Sequence, residues 1–108
     1  MPSTTIGRGN VLLDFIVGPT LTPVAVAGST AAEQSFTILG LMAGDVPDVS
    51  CSISQTPGIG IGNARVPSNN ILTIEFTNST AGSLTPVSGI YAITICRPEF
   101  LPLPTNAV

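Results

Sequence analysis

The sequence predicts an all-β protein, an antiparallel β-sandwich (immunoglobulin-like or jelly-roll-like) of about seven strands with extended terminal arms. Three observations predict it. Short apolar runs alternate with small polar residues at a period of two. Proline and glycine cut between these runs at fairly even intervals. Charge is scarce: Asp, Glu, Lys and Arg make up 8% of the 108 residues, with no Lys and no His, at a mean hydropathy of +0.52. An ordinary soluble domain carries roughly 25% charged residues. A surface so thinly charged is poorly defended against association, which points to a life spent against other protein.

The elements follow in chain order. Residues 1–10 are polar, contain Gly7 and Gly9, and read as a flexible N-terminal arm. Val11, Leu13, Phe15 and Val17 then share one face of an extended segment, with Leu12, Asp14 and Ile16 on the other, before a turn at Gly18-Pro19. Two readings compete over residues 31–43. Thr30-Ala31-Ala32-Glu33 matches a capping box, Ala32, Phe36, Leu39 and Ala43 would share a helical face, and Gly44 would stop the helix. Against that, Phe36-Thr37-Ile38-Leu39 is rich in strand formers, and Gly40 would weaken a helix by about 1 kcal/mol. A strand from about Gln34 to Leu41 is the favoured reading, and the fold class is the same either way.

The remaining strands are plainer. Val49, Cys51 and Ile53 alternate with Ser50, Ser52 and Ser54. Leu72, Ile74 and Phe76 alternate with Thr73, Glu75 and Thr77. Tyr91, Ile93 and Ile95 oppose Ala92, Thr94 and Cys96. Turn chemistry separates them at Gly44-Asp45, Pro57-Gly58, Pro67 to Asn70, and Asn78 through Gly89. Residues 11–97 thus form one β-sandwich domain. Beyond it, residues 98–108 make a tail whose prolines at 98, 102 and 104 exclude a helix and most ladder pairing. Phe100, Leu101 and Leu103 are the candidate partner contacts in that tail; the competing reading is an end frayed in solvent.

Composition also excludes functions. Arg8, Arg65 and Arg97 are scattered, so no basic stripe is present to neutralise phosphates, and no nucleic-acid partner is expected. No apolar run approaches the ~18 residues that span a bilayer, and the N-terminus lacks the pattern of an export signal. Folding in a cytosol is the expectation, with no membrane partner. There, Cys51 and Cys96 read as free thiols, with an inter-sheet disulfide as the alternative.

Each candidate for chemistry has a plainer reading. Gly58-Ile59-Gly60-Ile61-Gly62 follows a proline, precedes no helix and has no lysine near it, so it is a glycine-rich loop or edge strand rather than a phosphate cradle. Asp45 and Asp48 lack the further oxygens a calcium ion requires and read as surface turn carboxylates. Ser and Thr abound, but without His or Lys to activate them. The expectation is no catalytic residue, no cofactor, no metal and no enzyme.

One resemblance is more specific. Glu33 to Leu41 with Gly44-Asp45-Val46, then Gly62 to Asn78, then Thr80 to Pro86 and Gly89 to Ile93, resembles the small β-rich cement or decoration proteins that coat the heads of tailed bacteriophages. It covers over half the chain as a pattern of strands and turns, without a catalytic signature. The resemblance implies a β-sandwich, often trimeric, seated on the outer surface of a virion. It would be made in the host cytoplasm and would bind the major capsid protein and copies of itself. A charge-poor interface repeated over a lattice agrees with that. The alternative from a different class is a binding module of a phage tail or fibre that recognises a host surface.

Overall fold

The computed structural model describes residues 11–99. They form seven strands: β1 (Val11–Val17), β2 (Thr20–Leu21), β3 (Thr30–Thr37), β4 (Val46–Cys51), β5 (Ile59–Ser68), β6 (Ile71–Asn78) and β7 (Gly89–Pro98). The strands make a sandwich of two antiparallel sheets. In the first sheet β7 is central, with β1 and then β2 along one edge and β4 along the other. In the second sheet β6 is central, between β3 and β5.

The two central strands supply the middle of the core. Leu72, Ile74 and Phe76 of β6 and Tyr91, Ile93 and Ile95 of β7 are all 0% exposed, as their period-two alternation predicts. Phe76 and Tyr91 meet edge to face at 6.4 Å and join the sheets. The Tyr91 hydroxyl donates to the Val87 carbonyl at 2.6 Å and accepts from Gln55 Nε2 at 3.0 Å, so its burial leaves no polar atom stranded. That burial pushes the phenol above its usual range.

The contested stretch is a strand, displaced from the expected span. β3 runs from Thr30 to Thr37, rather than from Gln34 to Leu41, and the residues of the supposed capping box pair with Asn78 to Glu75. The chain leaves the ladder at Ile38 because the β5–β6 turn claims the next segment. Ile38 N–H donates to the Asn70 carbonyl, Gly40 N–H to Asn70 Oδ1 and Ala43 N–H to Asn69 Oδ1. Gly40 takes φ +99°, which favours glycine, and Ile38 and Leu41 are pinned into the core from this loop.

Three smaller corrections share a cause, which is irregularity at strand ends. The register shifts between Val11 and Leu13, so the alternation of β1 holds only from Leu13 onward. β4 ends at Cys51, leaving Ile53 beyond the strand and 49% exposed. Pro67 lies inside β5, and the turn narrows to Asn69-Asn70, with Asn70 at φ +65°. The expected glycine-rich edge segment does begin β5, after Gly58 turns the chain at φ +92°.

Candidate interaction surface

The two sheets bury similar inner faces and present unlike outer ones. On the outside of β3–β6–β5, the Arg65 guanidinium grips both Glu33 oxygens at 2.8 Å. Because Glu33 lies on β3 and Arg65 on β5, this pair bridges across the central strand, and it holds the Glu33 carboxyl below its usual range. Ser35 and Thr73 share a hydrogen bond at 2.9 Å, and Glu75 Oε1 accepts the Asn63 N–H at 3.2 Å. No large hydrophobic side chain on β3, β5 or β6 is exposed.

The first sheet reverses this. Its pairing lines up Ile16, Thr94 and Asp48 across one row of the outer face, and Asp14, Cys96 and Val46 across the next. Ile90 stands opposite Thr20 further along. Of these, Ile16 is 70% exposed, Val46 57% and Ile90 51%; Leu12, the extra residue in the β1 register, is 58% exposed. Apart from Asp14 and Asp48, the rows are apolar or carry small neutral groups. Exposed apolar side chains gathered on one face mark a contact surface more reliably than the same residues scattered singly.

Sheet edges sharpen the contrast. The outer edge of β3 faces a clamp in which Gln34 Oε1 accepts the Val24 N–H and Gln34 Nε2 donates to the Val24 carbonyl, both at 2.8 Å. β5 carries two register shifts and Pro67, and β4 carries Pro47; bulges and prolines are ordinary defences of a free edge. β1 has none of these beyond the bulge at its start. Among the described residues it pairs with β7 alone, and Val-Leu-Leu-Asp-Phe-Ile-Val offers one charge over seven residues. Its inward side chains, Phe15 and Val17, pack against the core while Leu12, Leu13 and Ile16 stay exposed.

The end of this sheet is fixed by an ion pair between Asp45 and Arg97. Asp45 is buried rather than a surface turn carboxylate: its side chain is 0% exposed and takes both Arg97 Nε at 2.9 Å and Nη2 at 2.8 Å. Met42 N–H donates to the same carboxylate, and Arg97 also donates to the Gly40 carbonyl and lies 5.4 Å over the Phe15 ring. The Arg97 hydrogen bonds hold the Asp45 carboxyl below its usual range despite its burial. Asp48, expected in the same turn, lies on β4 and is exposed. A signal for the pair existed in the sequence. Arg97 has the same parity as Tyr91, Ile93 and Ile95, and an inward-facing arginine requires a buried acid.

Cys51, opposite Tyr91, packs against the core, whereas Cys96 lies in an outer row beside Asp14; both are free. Desolvation first, then the Asp14 carboxylate, pushes the Cys96 thiol up, which keeps it protonated and a poor nucleophile. A groove of about 250 Å³ opens between β4 and β5, lined by residues including Asp48, Gly62 and Asn63, with no nucleophile–base pair in its lining. Phe100, Leu101 and Leu103 lie outside the described residues, as does the arm of residues 1–10. The β7 strand ends at Pro98 directly opposite Val11, so these two residues lie at one corner of the first sheet.

No family model matches this chain, and no curated protein or solved structure does either.

Proposed function

We propose that this chain is a structural virion protein, a decoration protein of a phage head that binds the outside of the capsid lattice and clamps neighbouring major capsid proteins. It acts as a homotrimer and performs no catalysis. One observation carries the reading most: large exposed hydrophobic side chains occur on β1, β4 and β7 and on none of β3, β5 and β6. One sheet is built for water and the other for protein. The resemblance of Glu33 to Ile93 to head decoration proteins supplies the choice of capsid as partner.

In this reading Ile16, Val46 and Ile90 supply the apolar contacts to the capsid, with Thr94 between Ile16 and Asp48 on the same face and Ser50 further along β4. A single contact of this size is weak. Copies joined into a trimer bind as a unit, and a lattice that presents many equivalent sites makes the assembled shell hard to open. A shape held by two hydrogen-bonded sheets suits the task, because the protein must keep the shell from moving.

Quantitative mass spectrometry of purified particles tests the proposal. The expected result is the chain in stoichiometric, lattice-like copy number, released together with loss of shell stability. Its absence from heads, or its presence only in tails with binding of the isolated chain to host glycans, overturns it in favour of a host-recognition module.

A further inference from the structure

We infer that residues 101–105 of a second copy of this chain add to the free edge of β1 as an extra strand, and that the prolines in that segment stop the sheet there. The inference rests on the proposed self-association and names the contact that produces it.

The acceptor is β1. It is the one long edge strand among the described residues with no proline in it and no side-chain clamp along its outer edge, and its sequence has a single charge. Such an edge is a template for another strand. β1 carries apolar side chains on both faces, Leu13 and Phe15 inward and Ile16 outward beside Asp14, with Leu12 exposed at the bulge. A strand added beside it therefore needs apolar side chains on both of its own faces.

The donor follows from the spacing Phe100-Leu101-Pro102-Leu103-Pro104-Thr105. In an extended chain, alternate residues offer their N–H groups to the same edge. Leu101, Leu103 and Thr105 therefore supply donors along one edge, while Pro102 and Pro104 leave the other with none between them. A strand of this kind pairs on one side only. Its faces are also both apolar, with Leu101 and Leu103 on one and Phe100, Pro102 and Pro104 on the other.

The occupant must come from another copy. β7 ends at Pro98 opposite Val11, so β1 lies between that end and its own free edge. Crossing two strand spacings is about 9.6 Å. The steps from Pro98 to Leu101 span about 10 Å when fully extended and leave nothing for reversing direction. Outward, the ten residues 99–108 reach about 33 Å, more than the roughly 24 Å length of β1. Donation from each copy to the next is a head-to-tail contact, which closes into a ring when the rotation allows it.

Sedimentation equilibrium of the full-length chain tests this with two opposed substitutions. Leu103→Pro removes a donor from the pairing edge, and the expected result is self-association weakened at least about tenfold with the thermal transition of the domain unchanged. Pro104→Ala restores a donor on the far edge, and the expected result is association no weaker than wild type, with larger species appearing as concentration rises. Self-association of the Leu103→Pro chain equal to wild type overturns the inference, as does a wild-type chain that stays monomeric. If that happens while the chain still coats particles in stoichiometric number, the strand addition falls and the decoration role stands.

Discussion

The β3–β6–β5 sheet and the β1–β7–β4 sheet share one core and differ in what they show to the outside. The first covers its exterior with a bridging Glu33–Arg65 pair, a Ser35–Thr73 hydrogen bond and the Glu75–Asn63 contact, and its outer edges are clamped, bulged or proline-capped. The second leaves Leu12, Ile16, Val46 and Ile90 exposed and, among the described residues, one long strand edge unpaired. With nine charged residues in 108, the chain still places a charged bridge across the β3–β6–β5 sheet. The difference teaches that low charge here is a property with a side: the exposed large hydrophobic side chains of the strands all lie on β1, β4 and β7, beside Asp14 and Asp48, and none lies on β3, β5 or β6.

Substitutions that act on both sheets together should have the largest effect. Phe76→Ala removes the ring that meets Tyr91 across the interface of the sheets, and denaturant unfolding should show a loss of about 3–5 kcal/mol in one cooperative step. A loss below about 1 kcal/mol would mean the sheets are not joined there.

Next comes the corner of the β1–β7–β4 sheet. Asp45→Asn leaves Arg97 without its carboxylate in a nearly closed site, and should cost about 3 kcal/mol. The same pair sets an acid limit. Because the folded Asp45 carboxyl is held below its ordinary value, its contribution is fully present above the usual carboxylate range near pH 4 and is lost as pH falls through the lowered folded value. Thermal melts of wild type should therefore decline below about pH 4, and the Asp45→Asn chain should decline less over that window. Parallel curves would contradict the assignment.

The outer faces should respond in opposite ways. Ile16→Lys combined with Val46→Lys should move stability by no more than about 0.5 kcal/mol, since both side chains are exposed, yet weaken particle binding at least about tenfold. Glu33→Gln should do least. Its carboxylate and Arg65 are half-exposed, so binding should be unchanged and the small shift in melting should fade with added salt.

How far the sequence revealed this depends on the kind of force involved. The inner residues of β6 and β7 were legible because a strand buried on one face must alternate, and nothing else competes at Leu72 to Thr77 or Tyr91 to Cys96. β3 lies four residues earlier than the local pattern suggests because its end is set by hydrogen bonds that Gly40 and Ala43 donate to Asn70 and Asn69, some thirty positions away. Asp45 was misread for the same reason: its partner lies 52 residues on, and local turn chemistry dominates what a window can show. The outer face had a faint signal in Val11 to Val17, whose near-continuous apolar run reads as a strand covered on both sides. Val46 and Ile90 carried none, because their exposure follows from which rows the β7 pairings bring together.

Hydroxyl-radical footprinting of the chain, free and seated on capsid particles, tests the sidedness most directly. The account predicts that Leu12, Ile16, Val46 and Ile90 become protected on the particle while Arg65, Glu33 and Glu75 react as they do in the free chain. Protection of Arg65 and Glu33 with Ile16 and Val46 unchanged would contradict it and place the partner on the opposite sheet.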